Sequence, residues 1–471
     1  MTETTLPRPL RAPDAPPSPV RPGLLLAAVL TGQFMALLDV SVVNVAAPTL
    51  RDDLDASGSA LQFIVAGYTI AYAALIVTGS RLGGMFGYRR LFVTGLGVFT
   101  AASLACGLAP GADSLIAARA VQGAGAALMV PQVLSVIQRQ FQGPARAKAL
   151  GLYAAVIAGG AVAGQVLGGL LVTADLFGLS WRPVFLVNVP VGLALLAVVP
   201  RLMPPDRAET ARRLDLRGLL VVSPAIVLLV VPLVLGHEED WPLWGWVCMA
   251  AGAALFAVFA LVERGVERRG GAPLVSGRLL RTPGVAAAVV TMTLVMASYA
   301  GFLFTSALYF QGGLGYSALH AGGVFVPAAL AFAVVSLNWQ RLPVRFHPHL
   351  PAVAMVPVAA AYLGLAWAQH EGANQAVLMT MLAAVGASLG AAFSPVMALG
   401  LRRVAPVDAP DASGLLATVT QFGQVLGVAV FGTVYLERIG AGAAQAGWTT
   451  GLGLAGVALA AALSALALRR D

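Results

Sequence analysis

Two charged side chains lie inside long apolar stretches, and any chemistry must start from them. Asp39 falls within Met35-Ala-Leu-Leu-Asp39-Val-Ser-Val-Val-Asn44-Val-Ala-Ala-Pro48, in an apolar run that opens at Gly23. It is the one acidic residue that cannot be placed in a loop, at a span end or in a tail. A carboxylate at bilayer depth costs roughly 2.5–3.5 kcal/mol on insertion scales, so a chain that keeps one has a use for it. The simplest use is to take up and release a proton, because leaving water disfavours a carboxylate's charged form. Arg119 falls within Leu115-Ile-Ala-Ala-Arg119-Ala-Val-Gln122-Gly123-Ala-Gly125. Its guanidinium stays charged at any working pH, and intramembrane arginines face a bundle interior or a watery cavity. It could tune a nearby acid, hold a relay water or attract an anionic cargo. Equally, it could be a hydrogen-bond hub that ties helices together.

Three further patterns carry weaker signals. Gly160, Gly164, Gly168 and Gly169 strip one helix face of side chains and let a neighbouring backbone approach. They predict a slim seam between two halves of the molecule that slides or closes, with Gln165 set in it. Tyr299, Phe302, Tyr309 and Phe310, with Thr305 and Ser306, recur at near-helical spacing. They could line a cavity for a bulky apolar ligand or face lipid and its interface. The stretch Ser80-Arg81-Leu-Gly83-Gly84-Met-Phe-Gly87-Tyr88-Arg89-Arg90 reads as a tight basic turn; no strand precedes it, so it is a poor phosphate loop. Cys106 and Cys248 make no metal spacing, and the five histidines are dispersed. No metal site and no membrane-embedded enzyme is expected, and a lone acid without a charged ring argues against a channel.

The elements that must hold these residues follow from composition. The 471 residues are 58% hydrophobic and 11% charged, against about 25% charged in soluble domains. The chain reads as an integral membrane protein. Fourteen apolar runs are long enough to cross a bilayer, near 23–48, 59–80, 90–110, 113–138, 147–174, 181–200, 217–236, 243–262, 284–311, 318–338, 350–369, 375–400, 412–436 and 448–468. With the amino terminus inside, only Arg51, Arg182 and Arg438 of the 29 basic residues fall outside, and only Arg119 inside a run. That asymmetry is what the positive-inside rule demands. It assigns the net charge of +8 to cytoplasmic loops rather than to nucleic acid.

Gly164-Gln-Val-Leu-Gly168 returns as Gly423-Gln-Val-Leu-Gly427, and Gly125-Ala-Ala ahead of Pro131 returns as Gly390-Ala-Ala ahead of Pro395. Matches at like offsets predict duplicated halves. The expected division is a disordered proline-rich tail (1–22), a six-helix half (23–200), a linker (201–216), two inserted helices (217–263), a second linker (264–283) and a second six-helix half (284–471).

At these stretches the chain resembles the major facilitator superfamily, in its fourteen-span drug:proton antiporter branch of EmrB/QacA type. Asp39 to Pro48 resembles that branch's first-span signature, Arg119-xx-Gln122-Gly123-x-Gly125 its fourth-span motif and Gly160 to Gly169 its antiporter motif. Trp181-Arg-Pro-Val-Phe185-Leu-Val-Asn188-Val-Pro190 is similar to the sixth-span signature, and Tyr309 to Pro327 to the turn after the ninth span. In the loop between spans two and three, Gly84 stands where the family carries an aspartate, and Gln165 replaces the proline of the antiporter motif.

The resemblance implies an all-α major facilitator fold with both termini cytoplasmic, two six-helix halves and two inserted helices. It implies proton-coupled efflux of amphipathic drugs or antibiotics across the cell membrane by alternating access. A dedicated exporter of one natural product is the alternative. Asp39 would carry the proton beside an aqueous passage, with Arg119 near the path. Gln33, Asn44, Gln165, Tyr299, Phe302 and Tyr309 would stand near the cargo, and Arg81, Arg89 and Arg90 at a cytoplasmic gate. The expected partners are a small-molecule substrate, protons and the bilayer. No cofactor beyond the proton gradient is expected, and the chain is expected to be a monomer.

Overall fold

In lipid, every backbone N–H and C=O must be satisfied within its own segment, so long apolar runs become helices. The computed structural model describes residues 21–205, 216–235, 242–269, 271, 273, 277–405 and 408–470. The tail expected over 1–22 lies almost wholly outside the described residues, and the linkers over 201–216 and 264–283 do so in part. The first helices are α1 (Pro22–Asp53), α2 (Gly58–Phe86), α3 (Tyr88–Gly107), α4 (Ala112–Gln140), α5 (Gly143–Ala174), α6 (Pro183–Leu186) and α7 (Asn188–Leu202). Then come α8 (Leu216–Leu235), α9 (Leu243–Arg268) and the short α10 (Gly277–Arg281). The last are α11 (Val285–Leu308), α12 (Ala318–Asn338), α13 (Leu350–His370), α14 (Gln375–Gly400), α15 (Ala409–Arg438), α16 (Ala443–Ala465) and α17 (Ala467–Arg470). Among the described residues, twelve helices are long and apolar enough to cross a membrane. Two shorter apolar stretches lie in α5 (Ala163–Ala174) and α8 (Arg217–Pro232).

Several element ends differ from expectation. The basic turn shrinks to one residue, Gly87 at φ 99°, a backbone that glycine adopts without steric cost. Arg81 is therefore a helical residue of α2, and its Nη2 donates to the Pro273 carbonyl; Arg89 and Arg90 sit in the first turn of α3. The sixth run is divided at Val187 into α6 and α7, though Val187 keeps helical backbone angles and its N–H bonds to the Pro183 carbonyl at 3.0 Å. Pro190 has no N–H to offer the Leu186 carbonyl, so one ladder bond is missing. α9 runs on to Arg268, so Glu263 is helical and only 6% exposed, a second buried acid that sequence placed at a span end.

Helices α1 to α7 pack as one bundle, with α1 on α5, α2 on α4, and α3 on α4 and α7. α11 to α16 repeat the pattern, with α11 on α15, α12 on α14, and α13 on α14 and α16. The Gly-Gln-Val-Leu-Gly repeat does the same work in both. A Cβ on Gly164 would lie 2.8 Å from the Leu38 carbonyl oxygen and 2.6 Å from Ser41 Cβ. One on Gly423 would lie 2.6 Å from the Thr293 carbonyl oxygen and 2.9 Å from Met296 Cβ. The second sequence match is not equivalent: Gly125 meets Phe99 of α3, whereas Gly390 meets Phe332 of α12.

The glycine seam also has a different place. Gly160, Gly164 and Gly168 face Leu37, Leu38, Ser41, Val42 and Val45 of α1, inside their own bundle. Only Gly169 reaches across, to Leu319 of α12. Bundle meets bundle along α5 and α12, and where α2 and α4 touch α15. Of the inserted pair, α8 packs Leu219, Val222, Ile226 and Val230 into a cluster with Ala73 of α2. Phe256 of α9 meets Phe422 of α15, with ring centroids 6.4 Å apart.

Candidate functional site

The fourth-helix sequence builds the site. Arg119 and Gln122, three residues apart, share one face of α4. The glycines after them admit the neighbouring helices. A Cβ on Gly123 would lie 2.3 Å from the Tyr68 carbonyl oxygen of α2, and one on Gly125 would lie 2.6 Å from the Phe99 backbone nitrogen of α3. Close approach by α2 brings the Tyr68 ring under the Arg119 guanidinium, 4.8 Å from its centroid. Close approach by α3 brings Ser103 and Cys106 to Gln122. The stripe on α5 seats α1, which carries Asp39.

Asp39 and Arg119 form an ion pair, Nη1 to Oδ2, and both side chains are 0% exposed. The other carboxylate oxygen accepts from Gln122 Nε2 at 2.7 Å and from Asn188 Nδ2 at 3.1 Å. Gln122 is held at both ends: its Oε1 accepts from Arg119 Nη1 at 2.6 Å, and its Nε2 also donates to Ser103 Oγ at 2.8 Å. Arg119 Nε donates to the Ile64 carbonyl at 3.0 Å. The guanidinium also lies over the Phe185 ring, 5.7 Å from its centroid. Arg119 Nη2 is buried and has no hydrogen-bond partner among the described residues. Leu38, Val42, Val43, Ile64, Leu115, Trp181 and Phe185 form one buried apolar cluster on the helices that carry the pair.

The two charges that sequence treated separately are thus one unit, and Asp39 is not beside an aqueous passage in this structure. Four hydrogen-bonding groups meet the pair, the two ends of Gln122, the Asn188 amide and the Ile64 carbonyl, as a buried charge requires. Sequence reasoning quoted Gln122 and Asn188 as motif letters but gave neither a role. The spacing from Arg119 could have marked Gln122; nothing in the spacing points from Asn188 to Asp39.

The residues expected near the cargo do not form one group. Gln33 is buried on α1 and its Oε1 is unpartnered, while Asn44 is exposed on the same helix. Gln165 is half-buried against Gly322 of α12, its Oε1 unpartnered, at the junction of the bundles. The aromatics turn into the second bundle. Tyr299 meets Phe332, Phe302 meets Phe325 and Tyr362, and the Tyr309 hydroxyl donates to the Gln369 carbonyl at 3.0 Å. A water-sized cavity between α11, α13 and α16 is lined by Phe302, Thr305, Tyr362, Gln369 and Thr450. At the expected gate, Arg139 lies over Tyr88, 4.3 Å from the ring centroid, and donates to its hydroxyl at 3.2 Å.

Two like bundles of long apolar helices define a multi-pass membrane protein. Residues 29–428 match the family model of the Major Facilitator Superfamily, and the chain belongs to that family of multi-pass membrane proteins. It is 38% identical over 434 residues to the probable actinorhodin transporter of Streptomyces coelicolor, covering 90% of this chain and 74% of that one. It is 38% identical over 418 residues to the cephamycin export protein CmcT of Amycolatopsis lactamdurans, covering 87% and 84%. It is 31% identical over 417 residues to the multidrug resistance protein Stp of Mycobacterium tuberculosis, covering 87% and 75%. Among solved structures, the proton:xylose symporter XylE superposes with a TM-score of 0.64 at 14% identity, over 93% of this chain and 94% of that one.

Proposed function

We propose that the chain exports amphipathic small molecules, antibiotics among them, in exchange for protons, as a fourteen-span antiporter with both termini cytoplasmic. The observation that carries this reading is the carboxylate of Asp39, buried in a span and ion-paired with Arg119. The pair is sealed here, so proton exchange belongs to a second conformation in which Asp39 and Arg119 part. Loading a proton removes the charge that holds Arg119, and that is a lever for rocking one six-helix half against the other. In this structure Ser80 of α2 abuts Gly414 of α15, and Gly151 of α5 abuts Ser336 of α12. Both contacts lie at the ends assigned to the cytoplasm, and Gly169 of α5 meets Leu319 of α12 at the opposite ends. A proton moving inward releases about 2.3 kcal/mol per 100 mV and about 1.36 kcal/mol per pH unit, enough to drive cargo outward against a ten- to hundredfold gradient, about 1.4–2.8 kcal/mol.

The test is efflux from proteoliposomes with an imposed pH gradient. Asp39→Asn is expected to abolish gradient-driven efflux while cargo still exchanges at equilibrium. Undiminished driven efflux in that variant would remove Asp39 from coupling.

A second reading keeps the mechanism and narrows the cargo to a single natural product. The relatives named for one antibiotic are 34–38% identical, against 31–32% for those named as multidrug or drug pumps. A panel of unrelated toxic compounds separates the readings, because protection against one compound alone selects the narrow one.

A further inference from the structure

We infer that Asn188 is a positioning residue that reads the protonation state of Asp39 and passes it to the sixth helical passage; this rests on the proposed proton coupling. Three donors hold the carboxylate, and two of them, Arg119 and Gln122, come from one helix and bond each other. Gln122 is also tied to Ser103, so it cannot turn over without breaking both ends of its network. Asn188 is different. It comes from α7, is 2% exposed, and among the described residues makes a single side-chain hydrogen bond, to Asp39 Oδ1 at 3.1 Å.

An amide serves either form of a carboxyl group: its N–H donates to a carboxylate, and after a flip its carbonyl accepts from a carboxylic acid O–H. Asn188 can therefore follow the proton where Arg119, a pure donor, cannot. It is also the first residue of α7, one turn after Pro183 and two residues before Pro190, which leaves the Leu186 carbonyl without its helical N–H. The other charged or titratable groups around Asp39 are Arg119 of α4, Tyr68 of α2 and Cys106 of α3. From 183 to 200 the chain has no titratable residue, and α5 past Lys148 has only Tyr153. Nothing else on the sixth passage competes for this role.

The test uses the full chain in lipid nanodiscs and proteoliposomes. Infrared difference spectra across pH give the carboxyl signal, assigned as Asp39 by its loss in Asp39→Asn, and efflux is measured on the same samples. Asn188→Leu removes the donor at similar volume. Both the infrared midpoint and the pH profile of efflux are expected to move to higher pH by about one unit or more, since hydrogen bonds to charged groups are worth that much. Asn188→Ser keeps a group that donates and accepts, so it should fall between Leu and wild type. Identical midpoints in all three proteins, with efflux scaled down equally at every pH, would leave Asn188 a packing residue and overturn the inference. A wild type with no Asp39-dependent signal would instead overturn the proton reading beneath it.

Discussion

The two bundles share their helix pairings and even a five-residue packing motif, yet they differ in what they bury. The first seals in Asp39, Arg119, Gln122, Gln132 and Asn188. Among the described residues of the second, the buried polar side chains are hydroxyls and one amide: Thr291, Ser298, Thr305, Ser306, Ser336, Gln369, Ser394, Thr420 and Thr450. Half of those hydroxyls, on Ser298, Thr305, Thr420 and Thr450, donate to a carbonyl three or four residues back in their own helix. One architecture therefore stands with or without buried charge. The scaffold does not need the ion pair, and a group the scaffold does not need is a group with a task.

The comparison breaks most visibly at Arg119. Arg119→Leu leaves Asp39 buried beside nothing that neutralises it, a loss of about 3–5 kcal/mol. The expected outcome is a large fall in thermal stability in nanodiscs, with driven efflux gone. The double variant Asp39→Leu with Arg119→Leu makes the first bundle as neutral as the second. Removing a whole buried pair is often neutral or stabilising. Stability should return to near wild type while driven efflux stays absent. A double variant as unstable as the single one would show that the first bundle needs its charges to fold, and the contrast with the second would lose its meaning.

The same contrast explains what was legible in the sequence. Helices were, because apolar runs of the right length have one solution in lipid. Asp39 and Arg119 were, because each stood alone in such a run. Their pairing was not: 80 residues separate them, and 149 separate Asp39 from Asn188. In water, an amphipathic stripe tells which face of a helix turns inward. In lipid the outside is apolar too, so the stripe vanishes and helix orientation must come from small and polar residues. That is why Gly160, Gly164 and Gly168 were read as a helix contact but assigned to the wrong partner, and why the aromatics from Tyr299 to Tyr309 could not be turned toward either cargo or core. The basic turn was misjudged for a local reason: Gly87 alone suffices to reverse the chain, and the residues before it continue the helix.

A middle-sized effect tests whether the shared motif really does equal work in both bundles. Gly164→Ala and Gly423→Ala each place a methyl within 2.6 Å of the first helix of the bundle. Overpacking of this kind costs about 1–3 kcal/mol, and the two variants should lose similar stability. Their transport should differ. Gly164→Ala pushes on α1 within a turn of Asp39 and should shift the pH profile of efflux, whereas Gly423→Ala should lower the rate at every pH alike.

The smallest effect probes the neutral side. Tyr362 is buried in the second bundle and lines the water-sized cavity together with Thr305 and Thr450. If the second bundle plays no part in proton handling, Tyr362→Phe exchanges one neutral surface for another. It removes at most one modest hydrogen bond, about 1 kcal/mol or less. Stability should barely change, and the pH profile of efflux should superpose on wild type. Affinity for an aromatic cargo is free to move, because Phe302 and Tyr362 meet there at a 42° tilt, with centroids 5.7 Å apart. A displaced pH profile in Tyr362→Phe would place a proton pathway in the second bundle, and the division of labour between the two would have to be given up.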